Sequence, residues 1–163
     1  MPISVCNITL DAHGQELGKH GTAAFPIACY DDDISVSPVP WHWHEDLEAI
    51  AVTEGSLLVG CGSEQFAVHA GEGFFINTGV LHGCWAYQSS CCRIHSIVFH
   101  PRLVGGAPDS IFFQKYLHPL MENRINGSLF LSPQTTWQAE IIDRIEAAWL
   151  AVNQEPVGYE FDV

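Results

Sequence analysis

In the run Trp41-His42-Trp43-His44-Glu45-Asp46-Leu47-Glu48, imidazoles at positions 42 and 44 and a carboxylate at 48 share the parity that an extended strand puts on one face. Trp41 and Trp43 fall on the other. Imidazole nitrogen and carboxylate oxygen together suit a divalent transition metal ion, Zn, Fe, Mn, Ni or Cu, and three or four such donors leave positions for water or a bound molecule. A fourth donor has to come from another strand, and His82 is the candidate. The competing reading is a pocket of histidines that satisfy one another by hydrogen bonds. His69, His95 and His100 lie in or beside strand-like runs and read as core or rim residues. No glycine-rich phosphate loop, serine nucleophile elbow or dinucleotide fingerprint is present.

The elements that must position these side chains are short and β-rich. Apolar runs at 49–53, 57–59, 66–69, 74–76 and 94–99 alternate with Glu54-Gly55, Gly60-Cys61-Gly62-Ser63, Gly71-Glu72-Gly73 and Thr78-Gly79, which is turn chemistry. Evenly spaced strands punctuated by glycine favour an antiparallel sheet closed on itself or folded over, a barrel or jelly roll. Residues 1–40 are weakly patterned and fit short edge strands and loops, with Asp31-Asp32-Asp33 read as a solvated turn. Phe74, Phe75, Trp85 and Phe99 are expected to pack the barrel. After Pro101 the texture changes: 110–121 reads as a short helix and 133–152 as a strongly periodic one, with Ser132 as its cap and Pro133 at its first position.

With 163 residues and 47% hydrophobic content the chain can bury one compact core and a helical appendage. Nineteen acidic side chains against six basic ones give a formal charge of −13, which repels phosphate backbones and anionic lipid. Nucleic-acid binding by this chain alone is therefore not expected. The opening Met1-Pro2-Ile3-Ser4 lacks a basic leader and no apolar run reaches membrane-spanning length, so a cytoplasmic location is expected. Cys6, Cys29, Cys61, Cys84, Cys91 and Cys92 form no Cys-x-x-Cys pair and read as free thiols, mostly buried.

The segment His42-x-His44-x-x-x-Glu48, followed by Gly55, is similar in residue type and spacing to the first cupin motif. Gly71 and then Asn77-Thr78-Gly79-Val80-Leu81-His82 resemble the second, with Asn77 where the family usually has proline and Ala86 where asparagine is common. The resemblance implies a metal ligand set of His42, His44, Glu48 and His82. It also implies an all-β fold with a helical appendage, a cupin double-stranded β-helix (jelly-roll barrel) over 1–104 followed by C-terminal α-helices over 105–163.

Residues 40–160 further resemble the N-terminal effector-sensing domain of AraC-type transcription regulators. The phrases that carry this are His42-Trp43-His44-Glu45, Glu54-Gly55-Ser56-Leu57, Phe75-Ile76-Asn77, Ile97-Val98-Phe99-His100-Pro101, Lys115-Tyr116 with Pro119-Leu120, and Trp137. In that family the barrel binds a small-molecule effector, the helical segment mediates dimer contacts, and a following helix-turn-helix domain, absent from this chain, reads DNA. The chain thus reads as the sensing part of a longer regulator and as no enzyme. The runner-up is a metal-dependent cupin enzyme of dioxygenase, isomerase or decarboxylase type. A homodimer is expected through the long helix, where Trp137, Ala148, Ile141, Val152, Ile145, Trp149 and Ile142 span an arc of roughly 140° and Leu150 lies about 80° beyond. That arc is wide enough for one edge to seat on the barrel while the other meets a partner, and Ile142→Glu is the substitution that would probe the contact.

Overall fold

The computed structural model describes residues 3, 6–88, 91–122 and 127–163. Eight strands follow one another, β1 (Ile27–Asp33), β2 (Val39–His42), β3 (Leu47–Glu54), β4 (Ser56–Cys61), β5 (Glu64–His69), β6 (Gly73–Ile76), β7 (His82–Ala86) and β8 (Arg93–Phe99). Then come a short α1 (Arg102–Gly105), a π-helical turn Phe113–Leu117 running into α2 (His118–Glu122), strand β9 (Ser128–Leu131) and α3 (Thr136–Gln154). The strands form two antiparallel sheets, in the orders β1-β8-β3-β6-β9 and β2-β7-β4-β5. This is the folded-over arrangement of a cupin jelly roll with a C-terminal helix. Among the described residues, no helix is long and apolar enough to cross a membrane.

Alternation along β3 explains why its sequence is apolar nearly throughout. Ile50 and Val52 face the space between the sheets, where they meet Leu57, Val59, Val68, Phe74, Ile76 and Ile94. Ala49 and Ala51 face outward, and small side chains there let α3 lie flat on the five-stranded sheet through Ile142, Ile145, Trp149 and Val152. Both faces of β3 are thereby buried. Of the aromatic residues expected to pack the barrel, Phe74 lies in the inner core, and Phe75 and Phe99 pack under the helix.

Three sequence expectations change. The acidic run is no solvated turn: it ends β1, where Asp31 faces out to Arg93 (2.7 Å), whereas Asp32 is buried and accepts the Cys6 backbone N–H (2.8 Å). Alternation, not composition, sorts these aspartates. The long helix starts at Thr136, because β9 runs to Leu131 and a turn over Ser132–Thr135 must first reverse the chain; Thr135, not Ser132, is the cap residue. Pro133 sits in that turn, and the segment expected to be helical after 104 contributes β9 to the barrel sheet as well. The expected edge strands of the first forty residues are present: β1 and β2 each border one sheet.

Candidate metal centre

The expectation that His42, His44 and Glu48 project from one extended strand fails, and the residues nonetheless converge. His42 ends β2 in the four-stranded sheet, the chain crosses between sheets at 43–46 carrying His44, and Glu48 lies on β3 in the other sheet, with the same parity as Ile50 and Val52. His82 opens β7 and is the direct cross-strand partner of His42. Two sheets thus aim four side chains into the space between them, which a single strand could not do.

Local hydrogen bonds fix each part. Gly79, at φ 69°, allows the turn before β7 to fold back so that its N–H donates to the His44 carbonyl (2.7 Å). Thr78 Oγ1 donates to the Glu45 carbonyl (2.7 Å), so the second motif clamps the first. Asn77 is buried, accepts the Thr78 N–H (2.9 Å) and donates to the Leu120 carbonyl (2.7 Å), a tie to α2 that proline could not make. Behind the site, the Trp41 ring lies over Gly60, where any Cβ would stand 2.4 Å from it.

The imidazoles are oriented alike. Nδ1 of His42, His44 and His82 lies 2.9, 3.0 and 2.8 Å from the carbonyls of Pro40, Asp46 and Val80. A carbonyl oxygen only accepts, so each Nδ1 carries a hydrogen, and in the neutral ring each Nε2 faces inward with its lone pair. The three rings offer ligand atoms all within 4.8 Å of one another. Glu48 Oε2 lies 3.0 Å from His82 Nε2 and 3.5 Å from His44 Nε2. Nε2 of His44 and His82 is buried without a hydrogen bond. A lone pair facing a carboxylate in a buried site is repulsive unless a proton or a metal ion sits between them, and three such nitrogens converging beside one carboxylate fit a divalent ion.

Electrostatics agree in direction. Burial pushes Glu48 upward, but His44 and His82 together outweigh it and hold the carboxyl well below its ordinary range. Burial and then the charge of His82 lower His42 to about 4. Burial also works against protonation of His44, yet Glu48 prevails and raises it above 6.5.

Residues absent from the sequence-based set complete the surroundings. Glu16 and His20, from the segment before β1, enter the same cavity with Asp32, and the space left among these side chains is about 20 Å³. That volume admits one ion or one water and no organic molecule. No pattern in residues 10–20 marks Glu16 and His20, because the segment is held by two isolated bridges, Leu10 to Glu16 and Gln15 to Trp43, rather than by a strand. His69, His95 and His100 stay outside, as expected: His69 bonds Ser56, His95 stacks on Trp149 at 3.7 Å and bonds Glu146, and His100 accepts the Arg102 N–H. The six cysteines, all among the described residues, form no disulfide.

The chain resembles known proteins at several ranges. It is 28% identical over 160 residues to the uncharacterized HTH-type transcriptional regulator YdeC of Bacillus subtilis, a match covering 96% of this chain and 54% of the relative. The chain therefore spans about half the length of the curated relative it matches. Solved structures with a similar strand arrangement include a variant of Bacillus subtilis oxalate decarboxylase (TM-score 0.40, 19% identity, 45% of this chain and 21% of that one). The Fe(II) form of HppE is another (TM-score 0.41, 17% identity, 45% and 42%). A family profile for the AraC-like ligand binding domain matches residues 25–150. With the jelly roll, the helix laid on its outer sheet and most of the chain within that match, the protein belongs to the family of AraC-like ligand binding domains.

Proposed function

We propose that this chain is the sensing domain of an AraC-type transcription regulator and that its barrel holds a divalent transition metal ion on His42, His44, Glu48 and His82. The observation that carries this reading is the set of inward-facing Nε2 atoms, each fixed through its Nδ1, around a cavity of about 20 Å³. Its size favours the ion itself as the sensed species over an organic effector in the barrel centre. A bound ion would supply the positive charge that lets buried carboxylates and imidazole lone pairs share one volume. The residues do the rest: the β2 and β7 histidines and β3 Glu48 tie the two sheets together at their open end. Occupancy can bias the domain between arrangements only by the difference in affinity for them.

The enzyme reading is the alternative: an open pocket of about 420 Å³ lined by Glu16, His20 and His44 adjoins these donors, but none of the residues around it is placed as a general acid or base apart from the proposed ligands. A second copy of the chain is the partner we propose for α3, whose Trp137 edge is 51% exposed and faces an apolar groove with Phe75, Phe99, Val104 and Ile141. A symmetric pair would suit reading of paired DNA half-sites by a following domain. The test is metal analysis of chelator-free protein together with thermal unfolding. One ion per chain and a Tm that rises with added Zn²⁺ and falls with EDTA support the reading; a Tm indifferent to both refutes it.

A further inference from the structure

We propose that Glu16 is an additional metal ligand, supplied by the segment that precedes the barrel, and that His20 positions it. The inference rests on the metal-sensing reading above and extends its donor set. Glu16 is a charged side chain only 8% exposed, with Oε2 3.7 Å from His42 Nε2, the one ligand imidazole for which no Glu48 ion pair is found, whereas Glu48 pairs with His44 and His82. Its oxygen is also 3.4 Å from His20 Nε2, a buried nitrogen without a hydrogen bond, while His20 Nδ1 meets the Tyr30 hydroxyl at 2.9 Å. The chain is shaped to hold the carboxylate there. The Glu16 N–H donates to the Trp43 carbonyl (2.9 Å) and the Trp43 N–H to the Gly14 carbonyl (3.1 Å), fastening the segment to the residue between two ligand histidines. Gly18 leaves room for the folded-back side chain, since a Cβ there would stand 2.9 Å from Glu16 Oε1.

Glu16 has imidazoles but no lysine or arginine against it, and a buried carboxylate in that setting is costly unless a neighbouring ring is protonated or a metal cation is bound. Two carboxylates also match the charge of one divalent ion, which Glu48 alone does not. Three imidazoles and two carboxylates suit an ion that accepts more than the four ligands of a closed zinc site, and Co²⁺ reports this through its visible spectrum, intense when four-coordinate and weak at five or six.

The experiment titrates Co²⁺ into the full chain and into Glu16→Gln, which keeps the shape and removes the charge. The wild type is expected to show weak visible bands; Glu16→Gln should bind at least about tenfold more weakly and turn intense as the ion falls to four ligands. His20→Gln should weaken binding while keeping the wild-type spectrum, as a positioning residue would. In the wild type, Co²⁺ should also slow amide hydrogen exchange at residues 14–18, a readout that does not depend on a variant folding. Unchanged affinity and spectrum in Glu16→Gln, or exchange slowed around His42 and His82 but not at 14–18, would overturn the role of Glu16 and leave the metal reading standing. No Co²⁺ binding by the wild type would overturn both.

Discussion

In the proposed metal site, His44 is the residue at which proton and metal would compete. Burial disfavours the charged ring but Glu48 outweighs it and raises the pKa of His44, so an incoming ion would have to displace a proton more often there than at an ordinary histidine. His42, held near 4, brings no proton, and Glu48, held low, stays ionised. Apparent affinity should therefore fall as the pH drops below neutrality. Calorimetry in two buffers of different ionisation enthalpy should show proton release on metal binding that grows as the pH is lowered; heats that stay identical in both buffers at every pH would remove His44 from the ligand set. Substituting His82→Ala should weaken Zn²⁺ binding at least about 100-fold, measured by competition with a chromophoric chelator. The histidines and Glu48 were legible in the sequence because each motif fixes its spacing locally. Glu16, His20 and the buried Asp32 were not, since their positions depend on contacts with Trp43, Tyr30 and Cys6 that no local period encodes.

At the scale of elements, α3 shows what periodicity determines and what it leaves open. The apolar arc was readable, but which edge meets the barrel depends on the small Ala49 and Ala51 and on the path of β9. The Ile142 edge is the inner one: Ile142 is 8% exposed and reaches Gly73. Ile142→Glu would consequently disrupt the core and is no probe of a partner. Ile141, 37% exposed, is the better choice. Ile141→Glu should leave thermal unfolding within a few degrees of wild type while shifting a sedimenting dimer to monomer; a wild type that stays monomeric at high concentration would eliminate this contact. Trp149, stacked on His95 and donating through Nε1 to the Tyr30 carbonyl (2.9 Å), ties the helix to β1 and β8. Trp149→Ala should cost about 3–5 kcal/mol in chemical denaturation. Of the sheet, the runs that became β3, β4, β5, β6 and β8 stood out as apolar strands between glycine turns, whereas β9, as short as β6 but set in the segment that reads as a helical appendage, did not.

For the whole molecule, the formal charge of −13 works against electrostatic association with nucleic acid. Gel-shift titration at low salt should show no affinity for duplex DNA, and measurable binding by clean protein would contradict the charge argument. The central claim is that the barrel is closed around one ion, and it is tested most directly by diffraction from crystals grown with Zn²⁺, recorded on both sides of the zinc absorption edge. The account predicts one anomalous peak between the two sheets, with Nε2 of His42, His44 and His82 about 2.0–2.1 Å away and a Glu48 oxygen in contact. A barrel centre without such a peak, with the three rings hydrogen-bonded to one another or to water, would contradict it.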